Sequence, residues 1–483
     1  MTTVRLTCAF EYLRQELNDV VRLFLGDVPI SESEGALHIT HTHEAAGGVW
    51  IERVTDGKSV YARKTPAARG ELEEKRAVKR AAKTALFLLM RDRSGINPPW
   101  GSLTGIRPTR LMYEAMEAGL SAGEAEARMR EEFYVSAEKA SLLREIIEMQ
   151  RGLIDPPENT FDLYIGIPFC VTRCAYCSFS SGEIGNGRLT EPYTDALIRE
   201  IRGSAEIMRE KGLSLRAAYV GGGTPTALSC TQLGRILDAA MECFPNAAEW
   251  TVEAGRPDTI DREKLLMLKT RGVGRISVNP QTFSDATLKL IGRAHTSGDT
   301  LRAYGLARET GFDHINMDII AALPGEDMDM FTRTLDRVTE LAPESVTVHS
   351  LAIKRSSKLH EALTVAGDSH NQADAAYAAD MISAARGTLE SGGWRPYYLY
   401  RQKYMAGNLE NVGYAKPGYA CLYNIGNMEE TACVLAVGAG SISKWLFPRE
   451  KRIERAANLK NIEEYISRAD EMIARKRELI LKD

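Results

Sequence analysis

The stretch Tyr164-Ile165-Gly166-Ile167-Pro168-Phe169-Cys170-Val171-Thr172-Arg173-Cys174-Ala175-Tyr176-Cys177 decides how this chain is read. A short apolar run that reads as a strand leads into three cysteines at C-x3-C-x2-C spacing. Iron–sulfur clusters are held by cysteine thiolates, normally four. Three closely spaced thiolates hold three irons of a cubane and leave the fourth iron open to bind and activate a small molecule. Two blander readings also fit the spacing. Zinc takes clustered cysteines, but a structural zinc site wants four ligands, and no fourth Cys or His lies nearby. Buried, inert thiols are also common.

A second stretch, Tyr219-Val220-Gly221-Gly222-Gly223-Thr224-Pro225-Thr226, again follows a strand-like segment. Three glycines allow close backbone approach to a ligand, and their amides are expected as available donors. Alone, a glycine run is usually just a loop. Together, the cysteine motif with Tyr176 before its last Cys and the following Gly-Gly-Gly-Thr-Pro resemble the radical S-adenosylmethionine (SAM) enzymes, specifically the coproporphyrinogen III dehydrogenase branch. The resemblance runs from about residue 160 to 445. It implies a partial six-unit β/α barrel in which Cys170, Cys174 and Cys177 bind a [4Fe–4S] cluster. It implies that Tyr164, Gly222, Glu253 and Ile442 contact the SAM at the cluster. It assigns a second SAM to Tyr176, Gly223, Thr224, Gln281, Arg293, Asp318 and Ala352. A carboxylate such as Glu253 suits two sugar hydroxyls, because it only accepts hydrogen bonds. Each residue alone has a structural alternative: Asp318 as a helix cap, Arg293 as a surface cation.

The chain is long enough, at 483 residues, for two or three domains. Its 44% hydrophobic and 26% charged content are ordinary for a globular protein. The net charge of −4, from 61 basic and 65 acidic residues, argues against a dedicated nucleic-acid binder. Eight cysteines are too sparse for a disulfide scaffold, and a reducing, cytoplasmic setting is expected. No signal peptide and no membrane-spanning apolar run are visible.

Domains are expected at 1–155, 156–390 and 391–483. In the first, Val4, Leu6, Cys8 and Phe10 alternate as on a half-buried strand, and Tyr12 to Leu25 has helical spacing. His38, His41 and His43 are read as the polar face of a strand, because no Cys or carboxylate cluster follows to complete a metal site. Residues 71 to 93 read as one amphipathic helix. Val78, Ala81, Ala82, Ala85 and Leu89 mark its apolar face, and Lys75, Arg76, Lys79, Arg80 and Lys83 a solvated one. Pro99 to Thr109, with Trp100, Gly101, Gly105 and Pro108, reads as a constrained loop. It either packs on the catalytic domain or is a turn internal to its own.

The middle of the chain alternates strand and helix. Strands are expected at Leu163–Ile167, Ala217–Val220, Trp250–Glu253, Arg275–Val278, Ile315–Ile320 and Ser345–Leu351. Helices are expected at Tyr193–Lys211, Cys230–Cys243, Arg262–Arg271 and Asp327–Leu341. Six such units predict an α/β fold with a parallel sheet and right-handed crossovers. The marked residues fall at strand ends, where parallel barrels form active sites. The extension after residue 390 is expected to be α-rich. It ends in an amphipathic helix over Ile462, Tyr465, Ile466, Ala469, Met472 and Ile473, capped by Asn461 with Glu464.

The resemblance also carries an activity: oxidative decarboxylation of coproporphyrinogen III propionates to vinyl groups, giving protoporphyrinogen IX. Lys354, Arg355, Arg401 and Lys403 are candidate partners for the propionates, since guanidinium–carboxylate pairing suits them. A low-potential donor such as flavodoxin or ferredoxin is implied, with no nucleic-acid or membrane partner and a monomer as the default. The branch's usual His is replaced by Gly166, and its fourth Cys by Phe179. With the long N-terminal unit, Leu351–Arg355 and Asn408–Gly418, these features are similar to the HemZ subgroup. Two relatives compete within the branch. A haem chaperone shares the Ser178-Phe179 style, but its H-N-x-x-Y-W motif is not reproduced at Gly407-Asn408. A radical methyltransferase that opens the haem ring would take haem as substrate. A non-enzymatic metal or interaction module predicts zinc and no SAM cleavage.

Overall fold

The computed structural model describes residues 3–26, 28–67, 70–105, 107–177, 179–351, 372–401, 409–450 and 452–482. The chain divides into two compact units, the first built on Met1–Arg144 with short later segments and the second on most of the remainder.

In the first unit, a five-stranded sheet has the order β2-β1-β3-β4-β5. Its strands are β1 (Val4–Thr7), β2 (Ile30–Ser31), β3 (Leu37–Ala46), β4 (Val49–Thr55) and β5 (Val60–Pro66). Helices α1 (Arg14–Leu25) and α2 (Glu71–Ser94) supply the other half of its core. Val78, Ala81, Ala82, Ala85 and Leu89 are all buried, as their spacing predicts. On the opposite face Lys79 and Lys83 both meet Glu16, at 3.1 and 3.2 Å, and Arg80 meets Glu114 at 2.7 Å. Three more helices follow, α3 (Thr109–Glu117), α4 (Ala122–Phe133) and α5 (Ala137–Gln150).

Two expectations for this unit are corrected. His41 and His43 do not lie on the polar face: they share the inward parity of the buried Leu37 and Ile39. Glu52 of β4, opposite His43 in the ladder, is fully buried between them. It accepts from His41 Nε2 at 2.8 Å and from His43 Nδ1 at 2.7 Å. A buried carboxylate is tolerated when it is hydrogen-bonded, and these two imidazoles bond it. Arg401 is also no propionate ligand. Its buried guanidinium lies over the Trp100 ring at 5.0 Å and donates to the carbonyls of Leu103 and Gly105. It therefore fastens the Pro99–Thr109 loop within this unit. Lys354, Arg355 and Lys403 lie outside the described residues.

The second unit is built on an 11-stranded sheet. Six consecutive strands of it run parallel: β6 (Thr160–Ile167), β9 (Ser214–Gly222), β10 (Glu249–Gly255), β11 (Arg275–Val278), β12 (Ile315–Ala321) and β13 (Ser345–Ser350). The short pair β7 (Phe169–Cys170) and β8 (Gly182–Glu183) stands apart. The crossovers carry α6 (Thr190–Glu210), α7 (Cys230–Cys243), α8 (Arg262–Thr270), α9 (Asp285–Leu290), α10 (Ser297–Glu309) and α11 (Met328–Leu341). This is the partial (β/α)6 barrel. Leu163, Ile165, Ala218, Val220, Val252, Met317, Ile319, Val346 and Val348 are buried on one face of the strands. Tyr164, Tyr219, Glu253, Asp318 and His349, at the alternate parity, are only partly buried.

The C-terminal extension contributes strands as well as helices, and they extend this same sheet at both ends. Beyond β13 lie β15 (Glu410–Ala415), antiparallel to it, and β14 (Arg395–Arg401). Before β6 lie β16 (Val434–Val437), parallel to it, then β17 (Ile442–Phe447) and β18 (Arg452–Ala457). Of the helices here, α12 is Gln372–Ser391 and α13 is Leu422–Glu429. The latter closes the lower end of the barrel: Tyr423 stacks on Tyr219 with ring centroids 4.8 Å apart, and Glu249 accepts from the backbone N–H groups of Leu422 and Tyr423. The terminal helix is two helices, α14 (Ile462–Ser467) and α15 (Ala469–Ile480), meeting at Arg468. Asn461 caps the first by accepting from the Glu464 N–H. Among the described residues no helix is long and apolar enough to cross a membrane.

Candidate active site

The cysteine loop leaves β6 at the carboxyl end of the barrel. Cys170 sits at the end of β7, and its carbonyl accepts from the Ile184 N–H at 2.8 Å. Ala175, between the other two cysteines, donates its N–H to the Ile291 carbonyl at 3.0 Å. Arg256, itself paired with Asp258, donates to the carbonyl and hydroxyl of Thr172. All three thiols are free and half-buried. Burial pushes the Cys177 thiol up, and the neighbouring Cys174 and Cys170 thiols add to this, against the Phe179 N–H and the Ser181 hydroxyl. A thiol held protonated in this way at Cys177 is turned to the thiolate by a metal cluster that ligates it.

The glycine run works differently from its sequence expectation. The Gly223 N–H donates to the Ile167 carbonyl and the Thr224 N–H to the Phe169 carbonyl, both at 2.7 Å. These amides are spent on the cysteine loop and are not free ligand donors. A Cβ on Gly223 would stand 2.5 Å from the Phe169 oxygen and 2.9 Å from Cys170 Sγ, so only glycine lets Cys170 sit here. The Thr224 hydroxyl also faces Cys170 Sγ, at 3.7 Å. Gly222 adopts φ +112° and turns its N–H to the Glu253 carboxylate.

Glu253 and Asp318 face the same polar interior. The Tyr219 hydroxyl donates to Glu253 Oε1 at 2.5 Å. Burial pushes the Glu253 carboxyl up to about 7; Tyr219 opposes this, Asp318 adds to it, and His349 and the Gly222 N–H oppose it. Burial also works against the Asp318 charge, yet His349, Asn316 and Thr347 hold that carboxyl below its usual range. Asp318 caps no helix: it lies within β12, and its Oδ1 accepts from Asn316 Nδ2 at 2.7 Å. Arg293 is no surface cation. It donates to the Asn279 carbonyl at 3.3 Å and to the Tyr176 hydroxyl at 3.2 Å, so it braces the ring between Cys174 and Cys177. Buried Gln281 takes a left-handed φ of +67°, with its N–H on the Asp318 carbonyl and its own carbonyl accepting from the Ile320 N–H. A non-glycine residue there is strained, and such strain concentrates at functional sites.

Tyr164 lies in a stack with Tyr219 and Tyr423, at 6.4 and 6.3 Å. Ile442 opens β17 with 49% of its surface exposed. Ala352 lies outside the described residues. Sequence reasoning passed over Tyr219 and His349 as site residues. Tyr219 pairs with Tyr164 in the ladder, and its parity with Gly221 was the available signal.

The Glu253 shift makes a measurable prediction. Its folded value exceeds the ordinary 4.5, so between about 4.5 and 7 the folded chain keeps a proton that the unfolded chain releases. Stability is therefore highest below that window and falls as pH rises through it. Discounted for partial exposure, wild type should lose about 2 kcal/mol relative to Glu253→Gln between pH 5 and 8. Urea midpoints of the cofactor-free proteins at the two pH values check this; parallel behaviour of the two proteins would refute it.

A parallel barrel with a cysteine triad at its carboxyl end and a glycine strand end packed against the first cysteine defines a radical SAM protein. A family model described as the radical SAM superfamily matches residues 164–338. Its cofactors are a [4Fe–4S] cluster and SAM; Cys170, Cys174 and Cys177 are the thiols that would hold the cluster, although among the described residues no three such side chains are already gathered as a metal site. The oxygen-independent coproporphyrinogen-III oxidase-like protein HemZ of Bacillus subtilis (strain 168) is 38% identical over 408 residues, covering 82% of this chain and 81% of that one. This chain belongs to the HemZ family of coproporphyrinogen-III oxidase-like radical SAM proteins. The heme chaperone HemW of Escherichia coli (strain K12) is 29% identical over 288 residues, covering 59% of this chain and 70% of its own. The solved structure of coproporphyrinogen III oxidase (HemN) from Escherichia coli superposes with a TM-score of 0.54 at 24% identity, over 67% of this chain and 72% of that one, which supports the shared fold.

Proposed function

We propose that this protein oxidatively decarboxylates propionate side chains of coproporphyrinogen III to vinyl groups. The observation that carries this reading is the likeness to the coproporphyrinogen-III oxidase-like HemZ over 82% of the chain, where the likeness to the E. coli heme chaperone covers 59%. When bound, the cluster and SAM supply the electron and the 5′-deoxyadenosyl radical that takes hydrogen from the propionate β-carbon. Cys170, Cys174 and Cys177 hold the cluster. Glu253, fixed by Tyr219 and Gly222, accepts hydrogen bonds from the cofactor, with Tyr164 and Ile442 beside it. Tyr176, Gly223, Thr224, Gln281, Arg293 and Asp318 line the position of a second SAM. Tyr423 and α13 close the lower end of the barrel against water. Loss of carbon dioxide and one electron completes each vinyl group. The electron that cleaves SAM comes from a low-potential donor protein in the cytoplasm, the one lost with carbon dioxide passes to a separate electron acceptor, and the enzyme acts as a monomer.

The second reading, haem handling without turnover, draws on the HemW relatives. One anaerobic experiment separates the two. The reconstituted protein receives SAM, a low-potential reductant and coproporphyrinogen III, and mass spectrometry follows nucleoside and tetrapyrrole. 5′-Deoxyadenosine with loss of carbon dioxide supports the decarboxylase. Deoxyadenosine without a tetrapyrrole change sinks this substrate, and haem is tried next. An intact cluster with no SAM cleavage favours the chaperone.

A further inference from the structure

His349 lies at the carboxyl end of β13, two residues beyond Thr347 and on the same inward face. Its Nε2 stands 3.8 Å from Asp318 Oδ2 on the neighbouring β12. Its Nδ1 meets the Tyr400 hydroxyl of β14 at 3.4 Å, and the two rings pack edge to face. Asp318 is held from its other side by Asn316, whose amide oxygen accepts from the Thr347 hydroxyl at 3.3 Å. Asn316 of β12 and His349 of β13 thus flank one carboxylate, with Tyr400 of β14 behind the imidazole. About a quarter of the His349 side chain, 26%, remains exposed, as does 23% of Asp318, so both border the cavity.

Among the described residues, the charged and titratable groups facing His349 are Asp318 from β12, Glu253 from β10 and Tyr400 from β14; Tyr398 of β14 meets Thr347 beside it, and Tyr219 of β9 stands behind Glu253. Two carboxylates oriented into one low-dielectric cavity disfavour each other's charge. The His349 imidazole against Asp318 works against protonation of both carboxylates, and it does so within a strand without a long side chain that would fill the cavity. Arginine or lysine at this position would reach across the space a ligand needs.

We infer that His349, braced by Tyr400, is a positioning residue that keeps Asp318 aimed into the cavity and sets the pH range over which SAM binds, at Glu253 for the molecule beside the cluster and at Asp318 for the second. The role rests on the proposed reading of this cavity as the SAM site. It does not depend on the tetrapyrrole, because it concerns binding and not turnover. Loss of the imidazole leaves both carboxylates easier to protonate, so their capacity to accept hydrogen bonds disappears at higher pH.

The test is SAM affinity against pH, by anaerobic equilibrium dialysis on the cluster-loaded protein without reductant. Wild type, His349→Phe, His349→Gln and Tyr400→Phe are compared. His349→Phe keeps a ring against Tyr400, and His349→Gln covers the case in which the Phe variant fails to fold. The midpoint of the affinity curve should move up by about one unit in both His349 variants, with a smaller move in Tyr400→Phe. Affinity at pH 7 should fall roughly tenfold. A uniform loss of affinity with an unmoved midpoint would mean that His349 only packs, and would overturn the inference. Wild-type protein that holds its cluster but binds no SAM would instead overturn the reading of the cavity.

Discussion

Gly223→Ala should strip the protein of its cluster while leaving its fold in place. The added methyl meets the Phe169 carbonyl at 2.5 Å and Cys170 Sγ at 2.9 Å, and the nearer obstacle is backbone that cannot swing aside as a side chain would. The same segment is pinned by the Gly223 and Thr224 amides to Ile167 and Phe169, so strain passes directly to Cys170. Relieving the 2.5 Å contact takes a displacement of at least about half an ångström, at a cost of about 1–3 kcal/mol that a large α/β unit survives. A cubane is less tolerant, because three thiolates must meet three irons together and losing one corner exposes the rest. Iron per chain after anaerobic reconstitution should fall at least tenfold, the order that a misplaced metal shell produces. Far-UV circular dichroism should remain that of wild type. Thr224→Val is the matched control: it removes the hydroxyl facing Cys170 at 3.7 Å without moving the backbone, and should load iron normally. Full iron loading in Gly223→Ala would show that the loop relaxes, and the close-approach argument would fail.

Much of the catalytic unit can be read before any coordinates, and the reasons are local. Each parallel strand of the barrel is a short apolar run between helical periods, so all six emerge from patterning alone. The helix Cys230–Cys243 is recovered end to end, because Ser229 and Gln232 form a capping box at its start. What escaped depends on pairing between distant segments. β16 has four residues and joins the sheet beside β6, some 270 positions earlier in the chain, and no local signal carries that. His41 and His43 kept the inward parity of Leu37 and Ile39, but their polar type suggested the outer face; Glu52, which makes them tolerable inside, arrives from the next strand. The glycine amides illustrate the same limit. Composition shows that Gly223 can approach something closely, but only the structure shows that the partner is the cysteine loop. His349 belongs to no motif and becomes visible only when β12, β13 and β14 place Asp318 and Tyr400 on either side of it.

Lys476→Met is expected to be the most destabilising single substitution in the catalytic unit. Glu200 of α6 is fully buried, and Lys476 of α15, also fully buried, donates to it. The same carboxylate accepts from the Tyr465 hydroxyl at 2.5 Å, Asn458 Nδ2 at 2.7 Å and the Gly438 N–H at 2.8 Å. Removing the ammonium leaves a hydrogen-bonded but uncompensated charge in the interior, which costs about 3–5 kcal/mol. The effect should not stop at stability. Gly438 begins the turn that leads to Ile442, and its carbonyl is held by Asn458 and Ser441. Tyr193 of α6 donates to the Gly166 carbonyl at 2.5 Å and accepts from the Ala439 N–H at 3.1 Å, which ties that turn to the end of β6. The C-terminal helix therefore reaches the cofactor region through Lys476 and the Glu200 and Asn458 side chains it binds. Urea denaturation should show the loss in Lys476→Met, and SAM affinity should weaken with it. Adding Glu200→Gln removes the stranded charge and should restore most of the stability, because Gln keeps an acceptor for Tyr465. If the double variant is no more stable than Lys476→Met, the cost lies in lost packing of the lysine stem, and the electrostatic account of this hub is wrong.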